Sequence, residues 1–112
     1  MQRGELWWAN LAPTQESDLG FERPVLIVQD DTFNQSRLNT VIVVGLTTNL
    51  ELARARGNVL LGADYGLSKD SVINVTQLVT ATKRLLVRRI GQLPDWLMDE
   101  VDLGLKLVLH LE

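Results

Sequence analysis

The sequence predicts a small α+β protein, mainly β: a barrel or half-barrel of short strands with one helix across an open end. Three observations predict it. Two continuous β-branched runs, residues 25–28 and 40–46, have the length and composition of strands buried on both faces. Clusters of Gly, Asp, Asn and Ser separate them from shorter strand-like runs. After Pro94 the apolar spacing becomes helical and stays so to the end of the chain.

The elements follow in order. Residues 5–11 are rich in strand formers and stop at Ala12 and Pro13. Residues 14–23 form a polar, Gly-containing loop, and Pro24 can open a strand but cannot donate within it. The first buried strand is 25–28; residues 31–36 suit one helical turn or a loop; the second buried strand is 40–46, ending in Thr47-Thr48-Asn49. Shorter strands are expected at 58–61 and 71–74, divided by turn residues 62–70. Residues 76–82 alternate as another strand, and 85–90 as a further one closed by Gly91. Pro94 then suits the first position of a helix, with Asp95 in its positive first turn. Trp96, Leu97, Val101, Leu105 and Val108 mark its apolar side, and Asp99, Glu100 and Asp102 its solvated side.

The 112 residues, 46% apolar and 22% charged, are read as one domain, 1–112, able to bury a core without disulfide or metal. Cysteine is absent, so a disulfide framework, a thiol nucleophile and Cys-ligated metals are excluded. His110 is the only histidine, which argues against a Ser-His-Asp triad and against any two-histidine site. Residues 1–5 lack the pattern of a secretion signal, and no apolar run approaches the roughly 20 residues of a membrane span, so a cytoplasmic protein is expected. Net charge is −3, yet residues 53–89 carry Arg54, Arg56, Lys69, Lys83, Arg84, Arg88 and Arg89 against only Asp64 and Asp70. That segment reads either as a local positive field or as an ordinary mixed, solvated surface.

An ordered series of motifs runs through the chain. Arg3-Gly4-Glu5-Leu6-Trp7-Trp8 is followed by Pro13, and then by Ser17-Asp18-x-Gly20-x-x-Arg23-Pro24-Val25-Leu26-Ile27-Val28. A buried strand ends in Thr47-Thr48, and Asp70 to Gln77 and Ile90-Gly91-Gln92-Leu93 precede the helix. In this series the chain resembles the MazF/PemK family, endoribonuclease toxins of bacterial toxin–antitoxin pairs. The resemblance implies an SH3-like barrel, a homodimer, cleavage of single-stranded RNA at short motifs, no metal or other cofactor, and a cognate antitoxin protein as partner. An acidic antitoxin tail would occupy the RNA groove against the basic 54–89 segment.

Metal-free cleavage uses the RNA's own 2′-OH as nucleophile. Three tasks follow: removing that proton, stabilising the phosphorane, and protonating the leaving 5′-oxygen. Arg23 matches phosphate with paired donors, and Pro24 restricts its backbone. The family assigns its counterpart an acid/base role; with an arginine pKa above 12, phosphate clamp is the easier one. Thr47 matches the catalytic threonine, with Thr48 the neighbour if the register shifts; either can instead cap its own strand. Asp18 stands where the family usually has glutamate, and Glu22 is a rival carboxylate beside Arg23. Phe21 could stack a base, and Gln77 could read a base edge. Trp7 and Trp8 are adjacent in a strand, so one is expected in the core and the other outward, at a base or at a dimer contact. Asn34 reads as loop-structural and His110 as solvated.

Two other readings compete. The same barrel supports a non-catalytic toxin that binds DNA gyrase, for which Trp96, Leu97 and Met98 would be the contact, although core packing explains them more simply. Alternatively, Glu16 (for the family's glycine) and Asp18 mark a homologue that binds RNA or antitoxin without cutting.

Overall fold

In the computed structural model, which describes residues 1–11 and 22–111, the strand-forming runs pair into one antiparallel sheet curled into a half-barrel. The strands are β1 (Glu5–Ala9), β2 (Arg23–Ile27), β3 (Thr40–Thr47), β4 (Val59–Leu61), β5 (Ser71–Thr82) and β6 (Leu86–Gln92). Their order across the sheet is β4-β5-β3-β2-β1-β6. Helix α1 (Asp31–Asn34) is a single turn between β2 and β3, and α2 (Asp95–Leu109) ends the chain. This is the mainly β architecture with a terminal helix that the sequence predicts.

The β-branched strands are buried on both faces because the sheet has a core on each side. Leu6, Leu26, Val44, Leu46 and Ile73 point into the curl, where Leu97, Met98 and Val101 of α2 close over them. Val25, Ile27, Val41, Val43 and Ala81 point the other way and pack with Ala9 and Leu86. Alternate residues of β2 and β3 thus serve different cores, so both strands must be apolar throughout. The two ends of the sheet approach where a 3₁₀ turn, Ala63–Tyr65, lies against β6. Gly91 permits that contact: a Cβ there would stand 2.3 Å from the Tyr65 carbonyl oxygen.

Several expectations are corrected. Residues 71–74 and 76–82 are one strand, β5, and not two. Its pairing with β3 passes from Val44↔Leu78 to Gly45↔Asn74, leaving 75–77 without partners on β3. This large bulge bends the strand, and it is what the sequence shows as an interruption. The last strand begins at Leu86 and runs through Gly91 to Gln92. Pro94 is the N-cap of α2, one place earlier than expected. On α2, Leu97, Met98, Val101 and Gly104 are buried, whereas Trp96 and Val108 are exposed. Asp102 is not simply solvated: it pairs with the Arg3 guanidinium, whose Nε donates to the Val28 carbonyl at 2.9 Å. The Arg3 backbone amide donates to Asp31 Oδ1 at 2.7 Å, so one residue ties α1, α2 and the end of β2 together. Neither tryptophan of β1 is fully buried; Trp7 packs on the outer core and Trp8 lies on the opposite face.

Glu5 is 8% exposed, the most consequential buried charge in the sheet. Burial pushes its carboxyl up, but the Trp7 indole, the Gln2 amide and Arg89 donate to it and hold it below the usual glutamate value. A depressed folded pKa stabilises the protein above the unfolded value, about 4.3, and that stability is lost as pH falls through the folded value. The urea midpoint is therefore expected to fall more steeply below about pH 4.3 in the wild type than in Glu5→Gln. Parallel acid curves for the two proteins would contradict this.

Candidate functional site

Arg23 opens β2 and is exposed, with the buried Val25 two places further in. Its backbone pairs with Ala9 of β1. Thr47 closes β3, the neighbouring strand, which runs the opposite way. Start and end therefore meet at one rim of the half-barrel. The bulge in β5 then brings Gln77 over Gly45, where a Cβ would be in ordinary van der Waals contact with Gln77 Cβ at 3.5 Å. The result is a cleft of about 420 Å³, lined by Arg23, Pro24, Thr47, Asn74 and Gln77 with Leu11, Leu52 and Val79 as apolar walls. A second hollow of about 300 Å³ shares Arg23, Pro24 and Thr47 and adds Glu22 and Thr48.

Local hydrogen bonds set the polar groups. Thr47 Oγ1 accepts from the Asn49 amide at 3.1 Å. The hydroxyl hydrogen remains available to donate, so the capping role and a ligand-binding role coexist. Asn49 in turn caps a 3₁₀ turn, Leu50–Arg54, that carries Leu52 to the cleft wall. Asn58 holds this wall to the bulge: its Nδ2 donates to the Leu52 carbonyl at 2.9 Å, and its Oδ1 accepts from the Val75 amide at 3.0 Å. Val75 is one of the three bulge residues that β3 leaves unpaired. In Asn58→Ala the Val75 amide loses its partner while the Leu52 carbonyl keeps the Ala55 amide, a loss of about 1–2 kcal/mol. The expected result is a lower Tm with faster amide exchange around Leu52 and Val75; unchanged exchange there would refute the role.

Of the residues expected from sequence, Arg23, Thr47 and Gln77 share the first cleft, and Glu22 and Thr48 line the adjoining one. Asp18 and Phe21, with Glu16, lie outside the described residues. His110 ends α2 in a left-handed conformation and lines neither cleft. Asn34 is structural, bonded to Gln29 and Asp31. Sequence reasoning missed Asn74 and Asn58. Asn74 lines the cleft, and its Oδ1 accepts from the Thr76 hydroxyl at 2.9 Å. No spacing rule marks either residue; both depend on the bulge.

The basic 54–89 segment is not one patch. Lys83 donates to the Asn34 carbonyl, Arg89 to Glu5, and Arg88 lies 4.0 Å from Glu22. Arg54 and Arg56 are exposed on and after the turn that forms the cleft wall. Among the described residues no group of three His, Asp or Glu side chains is gathered as metal ligands would be, and no helix is long and apolar enough to cross a membrane.

Comparisons place this geometry among known proteins. Residues 2–109 match the family described as PemK-like, MazF-like toxin of type II toxin–antitoxin system. The chain is 47% identical to Endoribonuclease MazF2 of Mycobacterium bovis over 112 residues, covering 99% of this chain and 98% of that protein. It is 37% identical to Endoribonuclease EndoA of Bacillus subtilis, covering 99% of this chain and 96% of that one. Among solved structures, Mycobacterium tuberculosis toxin MazF-mt6 superposes with a TM-score of 0.79 at 24% identity, over 96% of this chain and 98% of that one. A mycobacterial endoribonuclease in complex with its cognate antitoxin gives 0.77 at 23% identity, over 100% and 97%.

Proposed function

The chain belongs to the PemK-like, MazF-like toxin family, and on that footing we propose that it cuts single-stranded RNA in the cleft bounded by Arg23, Thr47 and Gln77. It is an endoribonuclease toxin of a toxin–antitoxin module, with an antitoxin protein as its partner. One observation carries the site assignment: a cationic fork, a strand-end hydroxyl and an amide converge on one cleft although they lie on three different strands.

The chemistry follows from those groups. The guanidinium of Arg23 donates to two phosphate oxygens and stabilises the charge that builds up when the RNA's 2′-OH attacks. The hydroxyl of Thr47 donates to a third oxygen, and Thr48 extends that contact along the strand. Asp18 takes the proton of the 2′-OH, with Glu22 as the second carboxylate at the rim; as the bond from the 2′-oxygen to phosphorus forms, the bond to the 5′-oxygen breaks and that oxygen leaves with a proton taken from water. Phe21 stacks a base and Gln77 reads a base edge. No imidazole is needed, in keeping with the position of His110 at the end of α2. The enzyme acts as a homodimer in the cytoplasm, where its RNA substrate is, and requires no metal. Of the three residues that a gyrase-binding toxin would use, Leu97 and Met98 are in the core and only Trp96 is exposed.

The test is incubation of the purified protein with a long single-stranded RNA in excess EDTA, followed by mapping of the ends. Discrete cuts are expected. An oligonucleotide carrying the mapped motif with a 2′-deoxy sugar at the cut should resist cleavage. Cutting of the deoxy substrate would remove the 2′-OH mechanism, and dependence on added metal would remove the metal-free one.

A further inference from the structure

Beside the cleft, three residues form one row across three strands. Trp8 of β1 is paired with Pro24 of β2 on one side and with Arg88 of β6 on the other. Directly opposed residues of an antiparallel sheet point to the same face. Pro24 lines both hollows of the candidate site, so the row runs from the edge strand to the lip of that site. Arg88 lies over the Trp8 ring, its Cζ 5.6 Å from the centroid. Its Nη2 stands 4.0 Å from Glu22 Oε1, and Glu22 is itself a wall of the second hollow.

An arginine on an edge strand has no structural need to sit over an aromatic ring. Its side chain is 64% exposed, and the sheet beneath it is already paired. Here an aromatic face holds it from below and a carboxylate on the cleft wall holds it from the side. Planar aromatic and guanidinium surfaces are what unstacked bases of a single strand settle on, and the cation attracts the adjoining phosphate. We infer that Trp8 and Arg88 form a stacking shelf for one unpaired base of the RNA, next to the nucleotides at the scissile phosphate. This subsite rests on the RNA-cleaving reading above and extends it from the reacting phosphate to a neighbouring nucleotide. Glu22 is then a positioning residue that sets the angle of Arg88.

The test uses the purified protein and a short RNA with the mapped motif, prepared intact and as a series with a single abasic nucleotide at each flanking position. On the intact RNA, Trp8→Leu should raise KM about ten-fold with kcat unchanged, the contribution of one stacked base. Trp8→Phe should recover most of the loss, and Arg88→Lys, which keeps the charge without the plane, should lose several-fold in KM. At one abasic position the wild type should itself be weakened, and Trp8→Leu should add nothing further. An equal Trp8→Leu penalty at every abasic position would overturn the shelf. So would a Trp8→Leu protein that sediments as a monomer where the wild type is a dimer, since Trp8 would then belong to a contact between copies. A wild type that cuts no RNA would instead strike the functional reading on which the shelf rests.

Discussion

Arg23→Ala is expected to lower kcat/KM for RNA cleavage by about 10³-fold while leaving Tm almost unchanged. The two halves of this expectation have separate causes. The side chain is exposed at the mouth of β2, so its removal uncovers no core, and an exposed substitution of this kind shifts stability by about 0.5 kcal/mol at most. In the proposed mechanism the phosphorane, by contrast, gathers negative charge beside the guanidinium, and a preorganised donor there acts chiefly in the transition state. Arg23→Lys separates charge from geometry. A point charge without the paired donors should restore only part of the activity. The measurement is cleavage of a motif-bearing RNA with Tm recorded beside it. Activity near wild type in Arg23→Ala would move the reacting phosphate away from this cleft.

The second large effect is on stability. Gly104 is buried on the inner face of α2, against the turn at Gly57. In an exposed helix, replacing glycine by alanine stabilises by about 1 kcal/mol. Here the added Cβ would stand 2.1 Å from the Gly57 carbonyl oxygen and 3.2 Å from Val75 Cγ1. The obstacle is backbone, and Gly57 has φ +90°, which leaves its turn few other conformations. Overpacking of this kind costs about 1–3 kcal/mol and can exceed the gain in helix propensity. Gly104→Ala is therefore expected to lower Tm by several degrees, about 4–8 °C per kcal/mol for a domain near this size. Because Gly57 precedes Asn58, and Val75 is in the bulge, the displaced helix should also disturb the cleft wall. A raised Tm would show that helix propensity prevails over the contact with Gly57.

The sequence carried most of the fold because burial on two faces leaves an unmistakable record. A strand such as 40–46 is apolar along most of its length because both of its sides are covered there, with Ile42 its exposed member. The record fails where pairing is irregular. Residues 75–77 look like a break between strands because no partner on β3 disciplines their alternation. It fails again on α2, where helical spacing puts Trp96 in the apolar set although the face turned to the barrel is that of Leu97, Met98, Val101 and Gly104. Of the residues lining the candidate cleft, Arg23, Thr47, Thr48 and Gln77 were legible through an ordered series of motifs, and Glu22 as the carboxylate beside Arg23. Asn58 was not, because its importance lies in hydrogen bonds to the bulge and the cleft wall that no local pattern announces, and Asn74 stands inside the 70–77 motif without a role that its spacing suggests.

The pairing of β1 with β6 has a consequence for how the toxin comes into being. Glu5 pairs with Gln92, so β1 waits until the other five strands have been synthesised before its second neighbour exists. Until then one side of β1, bearing Trp7 and Trp8, is an open strand edge, the kind of surface that invites pairing with another chain. Contacts between such distant residues also slow folding, toward the millisecond-to-second range of barrel-like domains. Newly made chains thus spend their most vulnerable interval with this edge bare, and the shelf beside the cleft is completed only when the sheet itself is.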